Sequence, residues 1–516
     1  MSHAHCAKFI YPNTIKSFCQ AFFKKRPILF NYLKTEFKMK VVLFGLNGSY
    51  SHTCLALRCL RAPLERAGYE VVLCENNLRD MNASILSRLV GERADVYSFS
   101  CYIWNIASML DIAADLKALL PDSKIVFGGP EVSFACERFD FDFIDYIVRG
   151  EGEEAIVKIC DAIKNNEKID RIIEGGMPGV MNDEGILYRE GDFEGGTMLY
   201  YESSRGCPYR CAYCLSSITH GVRAKSVEQT LNDLRAFEML DSKIKIIKFV
   251  DRTFNFNIKR ANEIWRALLS DEFTKNYHFE VCANLLNEES FEIFQQMPKG
   301  KIQLEIGLQS TNDATLDVIS RHLDAKKIIS SAARVKALGN IHVHLDLIAG
   351  LPYEDMQSFR KSFDDAYHSC DMLQLGFLKL LYGTELRNKA EEYGYVASKK
   401  APYTVLKSNW MSFEDLSLLT EIADILDRYR EGGGFDNSLE FALSGVDSPF
   451  DFYLGLRHFL AERDGRSIRK ISQNDAYALL YQYIAINYPE KEEKFSLLMH
   501  EDYAKKQVRK PPKFKR

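Results

Sequence analysis

Three cysteines stand within eight residues of one another in the run Ser203-Ser204-Arg205-Gly206-Cys207-Pro208-Tyr209-Arg210-Cys211-Ala212-Tyr213-Cys214. Thiolates are soft ligands, and the C-x3-C-x2-C spacing of Cys207, Cys211 and Cys214 suits an iron–sulfur cluster wrapped by a loop. Three thiolates on a four-iron cluster leave one iron open to a substrate or cofactor. A zinc ion would need a fourth ligand, for which His220 is the nearest candidate, and a chance grouping is the remaining reading. A loop position directly after a strand, with aromatic flanks, favours the cluster.

Other residues offer two readings each. Asp251 suits a hydrogen bond to a ligand or the capping of the next helix. Glu305 is a charge inside an apolar strand and needs a partner: Lys248, Arg321 or a ligand. His342, His344 and Asp346 alternate and therefore share one side of a strand. Cys282 is a packed thiol or a catalytic one. Tyr213 packs beside the cysteines, and His52 reads as a loop histidine. None of these is assigned as a catalytic residue.

The elements that must position these groups fall into three blocks. Apolar strands at 40–44, 70–73, 96–100, 124–127 and 146–148 alternate with helical stretches such as 105–119. This pattern is α/β, a doubly wound parallel sheet that binds ligands at the carboxyl ends of its strands. A polar linker is expected over 166–197. Six further strands, at 198–202, 244–250, 278–283, 301–307, 341–348 and 372–380, predict a partial (β/α)6 barrel with its site at the same strand ends. Residues 391–504 read as helical, with a helix over 411–430 stopping at Gly432-Gly433-Gly434 and others over 451–463 and 474–488.

Composition bounds these readings. The 516 residues suggest about three domains. With 46% hydrophobic and 27% charged residues, the chain is a folded one. No apolar run approaches the ~18 residues of a membrane span. Thirteen cysteines do not fit a secreted disulfide scaffold in so long a chain, so most are expected to be reduced. The net charge of −4 combines a basic start (1–38, +6), a basic tail (505–516, +7) and an acidic body (−17). The acidic body argues against a nucleic-acid footprint, and the tail reads as solvated and disordered. Residues 1–38 read as a non-essential extension, with Met39 as the natural start.

The motifs together resemble the radical S-adenosylmethionine (SAM) superfamily. Beyond the cysteines, Phe249-Val250-Asp251-Arg252-Thr253-Phe254, Leu304-Glu305-Ile306-Gly307-Leu308-Gln309-Ser310, Arg321, Leu347-Ile348-Ala349-Gly350-Leu351-Pro352-Tyr353-Glu354 and Gly383-Thr384-Glu385-Leu386 are similar to that family's segments. The resemblance implies a 4Fe-4S cluster on Cys207, Cys211 and Cys214, with SAM contacts from Asp251, Glu305, Gln309, Arg321, Ile348 and Gly350. The front block is similar to cobalamin-binding domains fused ahead of such barrels, which implies cobalamin at Ser98, Ser100, Gly128, Gly129, Gly150 and Glu151. No D-x-H-x-x-G is present, so the lower face of the cobalt would carry no protein imidazole.

The implied chemistry is cleavage of SAM to a 5′-deoxyadenosyl radical and radical methylation of an unactivated centre. The implied partners are a small-molecule or peptide substrate and a one-electron reductant such as flavodoxin or ferredoxin, with no nucleic acid and no membrane. Three alternatives follow the same motifs. One is a cobalamin-dependent cyclase or rearrangement enzyme. Another is a methylthiotransferase-like tRNA enzyme with a second cluster on Cys54, Cys74, Cys101 and Cys136. The third is a cobalamin or SAM sensor without turnover.

Overall fold

The computed structural model of the chain describes residues 38–176, 187–193, 197–218, 221–240, 243–463, 465 and 468–506. The extension with Cys6 and Cys19, His220 and most of the basic tail lie outside the described residues.

The front block is a six-stranded, all-parallel sheet in the order β2-β1-β3-β4-β5-β6. Its strands are β1 (Lys40–Asn47), β2 (Glu70–Asn77), β3 (Val96–Ser100), β4 (Lys124–Gly128), β5 (Tyr146–Arg149) and β6 (Ile172–Glu174). Helices α1 (Leu55–Arg66), α2 (Asn82–Glu92), α3 (Ile106–Leu119) and α4 (Glu153–Asn165) make the crossovers. Alternation along β1 splits the core. Val42 and Phe44 pack with Phe99, Phe127 and Ile112 on one face, and Val41 and Leu43 pack with Val96, Val126 and Ile156 on the other. The chain leaves β1 toward β2 and returns to its opposite side as β3, so the topological switch lies between β1 and β3. β6 lies inside the segment expected to be a linker. Leu187, Tyr188 and Phe193 from the same segment are buried in the next block, and Asp192 accepts two hydrogen bonds from Arg61 of α1 at 2.9 and 2.8 Å.

The second block is a six-stranded parallel partial barrel. It comprises β7 (Met198–Tyr201), β10 (Ile246–Phe249), β11 (Asn276–Val281), β12 (Ile302–Gln309), β13 (His342–Ala349) and β14 (Met372–Phe377), each paired with its predecessor. An antiparallel hairpin, β8 (Ser204–Gly206) with β9 (Val222–Ala224), follows β7. The outer helices are α5 (Val227–Glu238), α6 (Ile258–Ala267), α7 (Glu288–Gln296), α8 (Asp313–Val318), α9 (Ala325–Ala337) and α10 (Met356–Tyr367). Sequence sets where they begin: Ser226 with Gln229, and Asn287 with Ser290, form reciprocal capping boxes at α5 and α7. On β13, Val343, Leu345, Leu347 and Ala349 are buried, while His344, Asp346 and Ile348 take the half-buried opposite face.

The third block carries a two-stranded ribbon, β15 (Val396–Ala397) and β16 (Val405–Lys407), and helices α11 (Phe413–Leu426), α12 (Asp436–Leu443), α13 (Pro449–Arg463), α14 (Gln473–Asn487) and α15 (Glu492–Lys505). It shares a continuous apolar core with the barrel, where Phe450 packs on Phe363, and polar contacts add to this. Arg430 donates to the carbonyls of Cys370 (2.7 Å) and Asp371 (3.1 Å), and Glu431 accepts from the Leu373 amide (3.2 Å). The nearly inaccessible Asp502 accepts from the Ser438 amide in the first turn of α12, where a carboxylate is favoured by the helix dipole. Among the described residues, no helix is long and apolar enough to cross a membrane.

Candidate active site

The cysteine loop sits between β8 and β9, at the carboxyl end of the first barrel strand. Gly206 opens it with φ +103°, and a Cβ there would lie 2.2 Å from the Gly221 carbonyl, so only glycine fits. The loop is stitched on both sides: the Ala212 amide donates to Ile319 O (2.9 Å), and the Leu386 amide donates to Ala212 O (3.0 Å). Cys211 is buried, whereas Cys207 and Cys214 are half-buried. Burial pushes the Cys207 thiol above its ordinary value. Arg321 spans from Cys211 Sγ (3.5 Å) to the Gly307 carbonyl. Tyr209, inside the loop, donates to Cys282 Sγ at 3.1 Å, placing that buried thiol beside the loop. Among the described residues, no three thiols, imidazoles or carboxylates converge as for a single metal ion. A cluster gives each thiolate its own iron, so its ligands need not converge on one point.

Asp251 is fully buried, and its carboxylate accepts from the Ser203 amide (2.8 Å), Ser203 Oγ (2.6 Å) and Ser204 Oγ (2.5 Å). It does not cap the next helix, whose N-cap is Asn257; it fixes the two residues that lead into the cysteine loop. Burial raises its pKa, against the serine hydrogen bonds. Arg260 adds a donor to Ser203 Oγ at 3.0 Å.

The carboxyl end of β12 is irregular. Register against β13 shifts between Gly307 and Gln309, and Gln309 has φ +74°, a left-handed value rare outside glycine. The Gln309 Oε1, Arg321 Nε and Asp346 Oδ1 atoms are buried without a hydrogen-bond partner among the described residues. Burial, reinforced by Glu305 and Glu280, raises Asp346 to about 8. Unpartnered buried polar atoms on adjacent strand ends fit a polar ligand such as SAM. A Cβ on Gly307 would lie 2.3 Å from Gln309 Nε2 and 3.2 Å from Arg321 Nη2. Gly307→Ala is expected to displace both side chains and weaken SAM binding about tenfold or more, measured by equilibrium binding to the reconstituted protein. Ile348 takes the lumenal side, opposite Gly376. Gly350 does not: it is buried, a Cβ there would meet Leu416 and Val405, and its carbonyl accepts from Tyr395 (3.0 Å).

Deeper in the lumen, Glu305 has Lys248 as its partner, one of those its sequence position allowed. It accepts from Lys248 Nζ at 2.9 Å and lies 3.0 Å from His278 Nε2. Burial alone would raise its pKa, but the His278 hydrogen bond and the Lys248 charge outweigh that and lower it from the usual 4.5 to about 2. A depressed carboxylate stabilises the fold above its unfolded value and loses that contribution as pH falls from about 4.5 toward 2. Over that window wild type is expected to lose about 3 kcal/mol more than Glu305→Gln, since the other carboxylates titrate alike in both, as measured by acid titration of the two proteins side by side. His344 lies on the same face, with its ring 5.3 Å from His278 and 4.6 Å from His342; burial, then His342 and His278, lower it to about 3. Glu280, not singled out in the sequence, stands opposite Glu305 in register, and burial raises it to about 7.

In the front block, Ser98 and Ser100 are buried on the same side of β3, at the switch point. Gly129 (φ +109°) presses so closely on Cys101 that a Cβ would lie 2.6 Å from its carbonyl. Ser133 Oγ donates to Gly129 O (2.9 Å) and accepts from the Gly150 amide (3.1 Å), joining those two turns, with Gly128 alongside. Glu151 differs from expectation: its carboxylate is taken by Arg205 (2.8 Å) and Arg223, on the two strands flanking the cysteine loop, so it braces the front block against the barrel. The thiols of a possible second cluster are separated: Cys54 lies in one core of the sheet, while Cys74, Cys101 and Cys136 lie in the other, all raised by burial. His52 is placed with Tyr200, whose hydroxyl is 3.3 Å from Nδ1.

Family models match three stretches: the B12 binding domain over residues 42–160, the Radical SAM superfamily over 201–366, and a protein of unknown function (DUF4080) over 391–515. The chain is 27% identical over 320 residues to a hopanoid C-3 methylase from Methylococcus capsulatus, covering 57% of this chain and 60% of that one. It is 27% identical over 365 residues to a 2-(S-pantetheinyl)-carbapenam-3-carboxylate methyltransferase from Streptantibioticus cattleyicolor, covering 62% and 52%. The chain thus spans between half and three fifths of the length of these relatives. Among solved structures, it resembles the cobalamin-dependent SAM radical enzyme OxsB (TM-score 0.64, 15% identity, 94% of this chain and 83% of that one). It also resembles the radical SAM methyltransferase TsrM from Kitasatospora setae with cobalamin and a 4Fe-4S cluster bound (TM-score 0.62, 16% identity, 84% and 100%). At these identities the structural likeness is one of fold.

Proposed function

As a member of the radical SAM superfamily with a B12-binding domain ahead of its barrel and a DUF4080 region behind it, this chain, we propose, is a cobalamin-dependent radical enzyme that methylates an unactivated carbon or phosphorus centre of a small molecule or peptide. The observation that carries this reading is the three-thiol loop, anchored at the carboxyl end of the first strand of a partial barrel and braced against the front block by Glu151.

Cys207, Cys211 and Cys214 would hold the cluster, with the Arg321 guanidinium balancing charge at Cys211 Sγ. When bound, the cluster would pass on an electron that splits SAM into methionine and a 5′-deoxyadenosyl radical, and cobalamin would carry a methyl group from a second SAM to the substrate. Gln309, Arg321, Ile348 and the buried Asp346 carboxyl would line the SAM position, and Ser98, Ser100, Gly128, Gly129 and Gly150 the cobalamin edge. Asp251 and Gly350 act behind them, on the backbone. Lys248, His278 and Glu305 form a polar floor to the lumen, with the Glu305 charge paired to Lys248. The electron would come from a flavodoxin or ferredoxin, and an open iron would require a reducing cytoplasm.

The division of Cys54 from Cys74, Cys101 and Cys136 supports one cluster over two. Anaerobic reconstitution with iron, sulfide, SAM, hydroxocobalamin and a strong reductant tests the reading. The expected result is about four irons per chain, a cobalamin spectrum and 5′-deoxyadenosine, with S-adenosylhomocysteine appearing as methyl transfer proceeds. About eight irons, or no 5′-deoxyadenosine under any reductant, would overturn it.

A further inference from the structure

The function of the carboxyl-terminal region is not given by its family description, yet one of its segments reaches back across the molecule. Residues 403–405 run along the continuation of β14: the Val405 amide donates to Leu378 O (2.9 Å), and the Leu380 amide donates to Tyr403 O (3.1 Å). This places Tyr403 beyond the carboxyl end of the last barrel strand. Its side chain is almost fully buried between the two blocks: the ring packs edge-on to Tyr382 (5.3 Å between centres) on the barrel side, while the hydroxyl faces the front block. The Tyr403 hydroxyl donates to Glu131 Oε1 (2.5 Å) and accepts from Arg138 Nη1 (2.9 Å), and Arg138 Nη2 returns to Glu131 Oε1 (3.2 Å). Tyr403 holds φ +57°, a left-handed backbone rare for a tyrosine, which the surrounding contacts must impose.

Neighbouring contacts converge on the same place. The Arg138 guanidinium lies 3.4 Å from the centre of the Tyr382 ring, and Arg387 lies at the same distance from that ring. Phe134 packs on Gly383 so closely that a Cβ there would lie 2.5 Å from its ring. Ala401 packs against the front core. On the front block, the gripped segment begins at Gly129-Pro130-Glu131, and Ser133 ties it to both Gly129 and Gly150. Whatever holds Glu131 and Arg138 therefore holds the turns at the ends of β4 and β5.

We propose that the carboxyl-terminal region is a clasp: Tyr403 fixes the Gly129–Arg138 segment over the barrel mouth, and so acts as a positioning residue for transfer between a ligand on the front block and one in the barrel. This rests on the cobalamin-and-SAM reading above. A reaction shared between two domains depends on their separation, and misplacement by about an ångström is enough to slow it strongly.

The test compares full-length wild type, Tyr403→Phe and Glu131→Gln, each reconstituted anaerobically with iron, sulfide and hydroxocobalamin. Phenylalanine keeps the ring but removes the hydroxyl that joins Glu131 to Arg138; glutamine keeps an acceptor for that hydroxyl. Amide exchange over residues 129–139 is expected to rise about tenfold in Tyr403→Phe and no more than about twofold in Glu131→Gln. Hydroxocobalamin affinity should fall in the same order, while 5′-deoxyadenosine formation from SAM alone stays within about twofold of wild type. Unchanged exchange in Tyr403→Phe overturns the clasp. A parallel loss of cluster content and SAM cleavage also overturns it, because that marks general unfolding. Wild type that binds no cobalamin refutes the functional reading instead, and the exchange data still decide the clasp.

Discussion

Cys211→Ala is expected to abolish the cluster and leave the protein folded. Cys211 is the buried member of the three thiols, and its sulfur is the one that Arg321 touches. The backbone bonds that hold the loop, Ala212 to Ile319 and Leu386 to Ala212, do not involve its side chain. Two thiolates cannot retain a four-iron cluster against loss of iron to solvent. Iron should fall from about four per chain to near zero, and SAM cleavage should fall about a thousandfold or more, equal to roughly 4 kcal/mol of barrier lowering removed. Circular dichroism and melting temperature should stay close to wild type. A Cys211→Ala protein that kept its iron and its SAM cleavage would remove the central assignment.

Asp251→Ala should produce a different phenotype, in which stability and cluster are lost together. The carboxylate satisfies one buried amide and two buried hydroxyls, all on Ser203 and Ser204, and it is the nearby negative charge for Arg260. Its removal strands these groups in a dry site, which costs about 3–5 kcal/mol. The barrel's melting transition should drop by several degrees, and cluster loading per folded chain should fall because the residues entering the cysteine loop are no longer fixed. Asp251→Asn keeps one acceptor and should be intermediate in both readouts. If Asp251→Ala retained wild-type stability while losing only SAM binding, Asp251 would be a ligand residue after all.

The front-sheet strands β1 and β3 were legible as nearly continuous apolar runs, as expected for strands covered on both faces, and the barrel strands β12 and β13 as alternating ones. The cysteine loop was legible from spacing alone. Less visible were features set by distant partners. Nothing in Phe249-Val250-Asp251 announces that its carboxylate belongs to serines 47 and 48 positions earlier in the chain. Glu151 follows a strand, as a cofactor contact would, yet two arginines of the cysteine hairpin claim it. β6 has only three residues, too short to show a pattern, and is defined by pairing with β5. The left-handed backbone of Gln309 leaves no compositional trace. Lumenal alternation on β13 was readable, but its neutralisation through Lys248 and His278 needed the register of β10, β11 and β12.

The order of strands also bears on how such a chain comes to be folded during synthesis. In the front sheet, β2 and then β3 take the two sides of β1, and β4, β5 and β6 each join the edge just completed; in the barrel, every strand pairs with the one made before it. Each sheet can therefore grow as it leaves the ribosome, without waiting for a later segment to be inserted between existing strands, which limits the exposure of long unpaired edges. The contact between Glu131 and Tyr403 breaks this sequence, since its partners lie 272 residues apart. It can form only after both blocks have been made, whereas the bonds from Arg205 and Arg223 to Glu151 join the front block to the first barrel strands much earlier in synthesis.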